Sequence, residues 1–151
     1  MKIACYAALL LLTASVCMAQ SKGDRLSLAR TTKAIRDAFA RGDVDAIVAL
    51  HHPDVIKYFG GKNVVKGRDE LRKGLVATFR NVKMEFVGNT VESTVFNGST
   101  AIETSIFTFK VIPKSGGKAT FSKGRSMVVY VKYKPSPTGW ASIREMAQAA
   151  P

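Results

Sequence analysis

The hydrophobic periodicity of the chain changes once, near Val82, and this change limits the possible folds more than any other feature of the sequence. Before it, apolar residues recur every three or four positions, as Leu71, Leu75 and Phe79 do, which is typical of helices that bury one face. After it, apolar and polar residues alternate, as in segment 82–86, which is typical of half-buried strands. Helices followed by strands indicate an α+β domain.

Capping residues and breakers divide the first half into three predicted helices. The first begins at Asp24 and ends at Gly42, and the second begins after Asp43 and ends at Pro53. The third spans residues 68–80, with its acids in the first turn and an arginine at its end, as the helix dipole favours.

The second half contains four or more predicted antiparallel strands. The turn sequence Asn97-Gly98 and the loops 114–118 and 135–139 separate them. The domain is therefore predicted to be a sheet that packs against three N-terminal helices.

The first nineteen residues are not predicted to belong to this domain. Lys2 precedes an apolar stretch from Ile3 to Leu12, and small residues then lead to Ala19. This order is typical of a cleaved secretory signal, and the apolar stretch is shorter than the roughly 20 residues that span a bilayer. We expect a signal peptide at 1–19, a single domain at 20–151 and no transmembrane segment. The mature protein is then secreted or periplasmic.

The cysteine and histidine content excludes several kinds of site. Cys5 and Cys17 both lie in the signal, so the predicted mature chain has no disulfide, thiol catalyst or cysteine metal site. His51 and His52 are the only histidines, and as neighbours on a helix they would point about 100° apart. No dinucleotide or phosphate-binding motif is present. We therefore expect neither a metal nor a cofactor.

The chain is strongly basic. Its formal charge is +12, and loss of Lys2 with the signal leaves +11. Such a surface attracts polyanions, but the cations are scattered and form no long basic run. A polyanionic partner and an ordinary solvated surface both remain open.

Five segments of the sequence resemble SnoaL-like members of the nuclear-transport-factor-2-like superfamily. They are 41–46 (RGDVDA), 52–55 (HPDV), 65–71 (VKGRDEL), 124–126 (GRS) and 139–146 (GWASIREM). The resemblance implies a cone in which a curved antiparallel sheet wraps around the helices and forms a pocket, often in a dimer. It does not imply one function, because the family includes isomerases, cyclases, dehydratases and binding proteins.

The strand register predicts which sheet face lines the pocket. If Gly116-Gly117 forms a two-residue hairpin, the even-numbered residues 102–108 share a face with the odd-numbered residues 125–131. That face is mostly apolar, so we expect it to be the concave face, and the last hairpin adds Ile143 and Glu145 to it. A slip of one residue would exchange the faces.

Five residues are candidates for the site. On the predicted concave face, Arg125 could bind an anion, Thr104 could bind a ligand, and Glu145 could act as a general base. The resemblance places Asp54 and Tyr58 in a loop at the cone mouth, as a second candidate base and a hydrogen-bond donor.

Three functions are considered from these residues, of which the first is the leading hypothesis and the other two are alternatives. The first is an exported protein that binds a small, partly apolar molecule, which could be an anion. The second is a cofactor-free lyase, cyclase or isomerase that uses Glu145 or Asp54 as the base. The third is a basic module for a polyanionic partner.

The opposite sheet face predicts a homodimer. It combines large aromatic and polar residues, including Glu103, Phe107, Tyr130 and Arg144, and such mixtures are enriched at interfaces. We therefore expect two copies to associate through these residues.

Overall fold

Residues 22–150 are described by the computed structural model of the chain, and they form three helices and one sheet. The helices are α1 (Lys22–Arg41), α2 (Val44–Ala49) and α3 (Gly67–Asn81). The strands are β1 (His51–Phe59), β2 (Asn63–Lys66), β3 (Val82–Asn97), β4 (Thr100–Pro113), β5 (Thr120–Lys132) and β6 (Trp140–Ala149). The predicted signal peptide lies outside the described residues and stays a prediction. Across the described part of the chain, no helix has both the length and the apolar character needed to cross a membrane.

The sheet has the order β2-β1-β6-β5-β4-β3 and curves around the helices. All neighbouring strands are antiparallel except β1 and β6, which are parallel. The α+β prediction is confirmed, and the four long strands β3–β6 are those that the alternation predicted.

The β1–β2 hairpin was not predicted, and it replaces the predicted loop after the second helix. Asp43 caps α2 by accepting a hydrogen bond from the backbone N–H of Ala46 at 3.0 Å, but α2 ends at Ala49 rather than at Pro53. Proline lacks the N–H that a strand donates, and it is tolerated in β1 because pairing with β6 is irregular between His51 and Ile56. Asp54 and Tyr58 therefore lie on a strand.

Two apolar clusters hold the helices to the sheet. One joins α2, α3 and β1 and includes Ile47, Val55 and Leu75. The other includes Leu28 and Trp140, whose indole N–H donates to Ser27 Oγ at 2.9 Å. This second cluster fastens the start of α1 across one end of the sheet.

The prediction of which sheet face is concave is wrong. Thr104 pairs with Met127, two residues away from the predicted register, and a shift of two leaves the face of each side chain unchanged. The predicted set does share one face, but this is the outer face, where Ile102 and Met127 are exposed. The concave face carries the other set, including Glu103, Ser105, Phe107, Ser126, Val128 and Tyr130.

A β-bulge in β6 changes which side chains of that strand face the cavity. Tyr130 pairs with Ser142 and Val129 pairs with Arg144, so Ile143 is an extra residue. Beyond the bulge Glu145 faces inwards, while Arg144 lies on the outer face. Glu145 thus lies on the concave face, as predicted, although the register that led to the prediction differs.

Gly124 provides a test of the concave packing. A Cβ atom built there would lie 2.4 Å from Cζ of Phe107 and 3.0 Å from the carbonyl oxygen of Gln148. We expect Gly124→Ala to lower the free energy of unfolding by about 1–3 kcal/mol, the usual cost of overpacking.

Gly74 is the matched control, because a Cβ there meets nothing within 4 Å and the residue lies inside α3. Gly74→Ala should raise the free energy of unfolding by up to about 1 kcal/mol. Urea denaturation measures both variants, and equal effects would contradict the described contact.

Candidate functional site

A cavity of about 570 Å³ lies between the concave face of the sheet and helices α1 and α3. Its size is in the range of small-molecule sites. Residues from α1, α3 and all six strands line it, so it exists only once the sheet has curved around the helices.

The lining changes along the cavity from a closed polar end to an open end. Register partners at the closed end are His51, Ser142 and Tyr130, all of which are buried. The next row contains Lys57 and Glu145, with Glu103 farther along it. The open end includes exposed lining residues such as Phe59, Gly60, Asn89, Lys123 and Gln148.

Aromatic rings form the wall towards the open end. Phe86 lies 4.0 Å from Phe109, 5.6 Å from Phe39 and 6.0 Å from Phe107, measured between ring centroids. Most of these contacts are edge-to-face, the geometry that the charge distribution of the rings favours. This wall suits the apolar part of a ligand.

Lys57 and Glu145 form an ion pair inside the cavity. Lys57 Nζ donates to Glu145 Oε2 at 2.5 Å, and the two side chains are only 7% and 16% exposed. The bulge in β6 makes this contact possible, because it turns Glu145 towards the lysine on the neighbouring strand. Each charge compensates the cost of burying the other.

His51 is neutral in the folded protein and has a defined tautomer. Its Nδ1 lies 2.7 Å from the carbonyl oxygen of Ile47, which can only accept, so Nδ1 carries the proton. Burial, followed by the positive charge of Lys57, lowers the pKa of His51 well below its ordinary value. Its Nε2 is therefore an acceptor at the cavity wall.

Two polar atoms at the closed end have no hydrogen-bond partner within the protein. They are His51 Nε2 and Ser142 Oγ, which are the only buried side-chain polar atoms in this condition among residues 22–150. Both residues line the cavity. Buried polar atoms are otherwise nearly always paired.

Tyr130 and Glu103 add a proton donor and an acid to the same wall. Burial, and next the negative charges of Glu103 and Glu145, raise the pKa of Tyr130 well above its ordinary value, so its hydroxyl stays protonated. Burial also raises the pKa of Glu103, against the opposing effect of Arg36.

Of the five predicted site residues, only Glu145 lines the cavity. Asp54 is on β1 with a side chain that is 82% exposed, and Tyr58 and Thr104 are on the outer face. Arg125 also lies outside, where its Nη2 binds Glu92 Oε1 at 2.9 Å. None of these four lines the cavity.

The predicted dimer face is also displaced. Glu103, Phe107 and Tyr130 line the cavity rather than an outer surface, and only Arg144 is outward. These four residues cannot form one interface, whereas dimerisation itself stays a prediction.

His51, Lys57 and Ser142 are the site residues that the sequence did not reveal. Lys57 and Glu145 are 88 positions apart, and no local pattern joins them. The β-branched and aromatic composition of segment 55–59 (VIKYF) was the available signal, because such residues are typical of a strand rather than a loop.

The lowered pKa of His51 makes stability depend on pH. Below its ordinary pKa of 6.5 the unfolded chain binds a proton that the folded protein does not, so the free energy of unfolding falls as the pH falls. Because charged Lys57 and Arg68 also oppose protonation, we expect a loss of up to about 2 kcal/mol between pH 7 and pH 5.

Urea denaturation of wild type and His51→Asn over this range isolates the effect, since the asparagine amide can still donate to Ile47. The variant should lose less stability on acidification, and His52→Asn should behave as wild type does. Parallel curves for wild type and His51→Asn would show that His51 is not held neutral.

Known proteins share this fold. A conserved protein from Planctomyces limnophilus is 21% identical, with a TM-score of 0.78 over 87% of this chain and 99% of its own. A ketosteroid isomerase-like protein from Erwinia carotovora atroseptica is 20% identical, with a TM-score of 0.70 over 83% of this chain and 96% of its own. A nuclear transport factor 2-like superfamily protein from Salmonella enterica is 12% identical, with a TM-score of 0.70 over 84% and 91%. At these identities the likeness concerns the fold alone.

Sequence comparison identifies the family. No curated protein matches the sequence, but the model of the SnoaL-like domain matches residues 32–133. This match runs from Thr32 in α1 to the end of β5, and so includes most of the residues that line the cavity. The chain belongs to the SnoaL-like domain family.

Proposed function

We propose that this chain is an exported protein that binds a small, elongated and largely apolar molecule in the cone. The observation that carries the proposal is the arrangement of residues that line the 570 Å³ cavity. Polar groups line its closed end, and aromatic rings line it towards the open end. A polar group of the ligand lies at the closed end, and its apolar part lies against the phenylalanine wall. The signal-like segment 1–19 supports action outside the cytoplasm.

The charges in the cavity favour a neutral ligand. Lys57 and Glu145 neutralise each other, and the positive charge of Arg36 acts on Glu103 as a compensating charge. Arg125, the residue predicted to bind an anion, is engaged by Glu92 on the outer face. The geometry therefore gives no support to an anionic ligand.

Catalysis by the predicted bases has less support than binding. Asp54 is remote from the cavity, and the carboxylate of Glu145 is held by Lys57 at 2.5 Å. No particular contact favours a polyanionic partner, since several cations, including Lys33, Arg72 and Arg125, already pair with acids.

Substitutions at Ala147 and Met146 test the proposed pocket, because these adjacent residues of β6 lie on opposite faces of the sheet. Ala147 lines the cavity, whereas Met146 is 63% exposed on the outer face. We expect Ala147→Trp to fill the cavity and weaken binding of the neutral fluorescent probe N-phenyl-1-naphthylamine at least tenfold. Met146→Trp should leave binding within about twofold of wild type, because its side chain lies outside.

Fluorescence titration measures both variants, with circular dichroism as the check on folding. Mass spectrometry of molecules that copurify with the wild type identifies natural occupants. Equal binding by the two folded variants would contradict the pocket.

We also propose that two copies associate through the outer face of the sheet. Tyr58, Met127, Met146 and Ile102 are exposed there, and the register makes Met146 a neighbour of both Tyr58 and Met127. A continuous apolar patch is unusual on a monomer, and a central patch can pair with itself about a two-fold axis.

Sedimentation of the mature chain at micromolar concentration tests this association. Met127→Glu combined with Met146→Glu should convert a dimer into a monomer, because it buries charge in the apolar contact. Leu26→Glu is the control, since Leu26 is an exposed apolar residue on α1. A dimer that survives the double change would exclude this face.

A further inference from the structure

The two unpaired atoms at the closed end lie on directly neighbouring strands. His51 of β1 is the register partner of Ser142 of β6, and each residue is 1% exposed. His51 Nε2 and Ser142 Oγ are thus both buried at one end of the same cavity, without a partner in the protein.

The surrounding polar groups are satisfied, which makes these two atoms exceptional. Arg68 Nε donates to the carbonyl oxygen of His51 at 2.7 Å, and the backbone N–H of Ser142 donates to the carbonyl oxygen of Leu50 at 3.1 Å. A buried polar atom left without a partner destabilises a fold, and an apolar side chain at either position would avoid this. The pair is therefore best explained by an occupant that supplies the missing hydrogen bonds.

The chemistry of the two atoms limits the occupant. His51 Nε2 can only accept, because Nδ1 holds the proton that is donated to Ile47, so the occupant must donate. A carboxylate has no proton to donate, and an ammonium group would lie near the positive charge of Lys57. A neutral hydroxyl group can donate to Nε2 and accept from the Ser142 hydroxyl through a single oxygen atom.

We propose that the ligand places a neutral hydroxyl group between His51 Nε2 and Ser142 Oγ. The remainder of the molecule then extends along the cavity to Phe86, Phe107 and Phe109. This inference rests on the proposed function, which it narrows to hydroxylated apolar molecules. An ordered water is the competing occupant of the same position, and it would leave the pocket without a preference for hydroxylated ligands.

Three matched probes separate these occupants. They are 4-hydroxybiphenyl, which can donate, 4-methoxybiphenyl, which can only accept, and biphenyl-4-carboxylate, which is anionic at neutral pH. Calorimetric titration of the full mature chain should show that the hydroxyl compound binds at least about tenfold more tightly than either of the others. Tenfold corresponds to 1.4 kcal/mol, close to the contribution of one or two net hydrogen bonds.

Two variants remove the proposed contacts one at a time. Ser142→Ala should lose most of the preference for the hydroxyl compound while the unliganded protein melts at the same or a higher temperature, because an unpaired hydroxyl has been removed. His51→Asn keeps a donor for Ile47, but its shorter side chain places no acceptor at the position of Nε2, so it should also lose the preference.

Ser136→Ala is the structural control. The hydroxyl of Ser136 is buried and donates to the carbonyl oxygen of Trp140 at 2.5 Å, away from the cavity lining. This variant should melt at a lower temperature and retain the preference. The opposite responses at Ser136 and Ser142 distinguish a ligand contact from a structural hydroxyl.

The possible results separate this inference from the proposed function. The hydroxyl assignment is overturned if the three probes bind equally, or if the preference persists in both Ser142→Ala and His51→Asn. Neither result contradicts the proposal that the cavity binds a small molecule. If Ala147→Trp also fails to reduce binding of any probe, or if no probe binds, the result contradicts both the proposed binding pocket and the hydroxyl assignment.

Discussion

The parallel pairing of β1 with β6 across the β6 bulge is the constraint on which the cavity depends. If β6 paired regularly with β5, with Ile143 opposite Val129 instead of in a bulge, Glu145 would leave the cavity and Arg144 would enter it. Lys57 would then be a buried cation without its partner, which is strongly destabilising. The bulge therefore determines the charge balance of the cavity.

The sequence predicted the order of the main elements but not the face that the helices cover. Strict alternation in β4 and β5 divides their residues into two sets, and both sets were identified correctly. Choosing the inner set required the assumption that the more apolar set is buried. That assumption holds for a filled core, whereas a cavity wall also carries polar residues such as Glu103, Ser105 and Ser126.

The candidate site was less predictable than the fold, because its members meet only through long-range pairing. His51 and Ser142 are neighbours because two strands far apart in the sequence lie side by side in the sheet. Because Pro53 lies in β1, that segment was predicted to be a loop instead of a strand. Asp54 and Tyr58 were therefore predicted to lie at the mouth of the cone, but neither residue lines the cavity. Glu145 was predicted on the concave face, where it lies, but its ion pair with Lys57 could not be read from either segment.

The cavity is closed at one end and open at the other, which affects how strictly it can select a ligand. Trp140 and the start of α1 pack across the polar end, so the proposed ligand would have its head group in a fixed position. The opposite end meets solvent near Phe59 and Lys123, and nothing there sets the length of what protrudes. A cavity of this shape limits the position of a ligand at one end only. It suits a homologous series of molecules that share a head group and differ in the length of their tails.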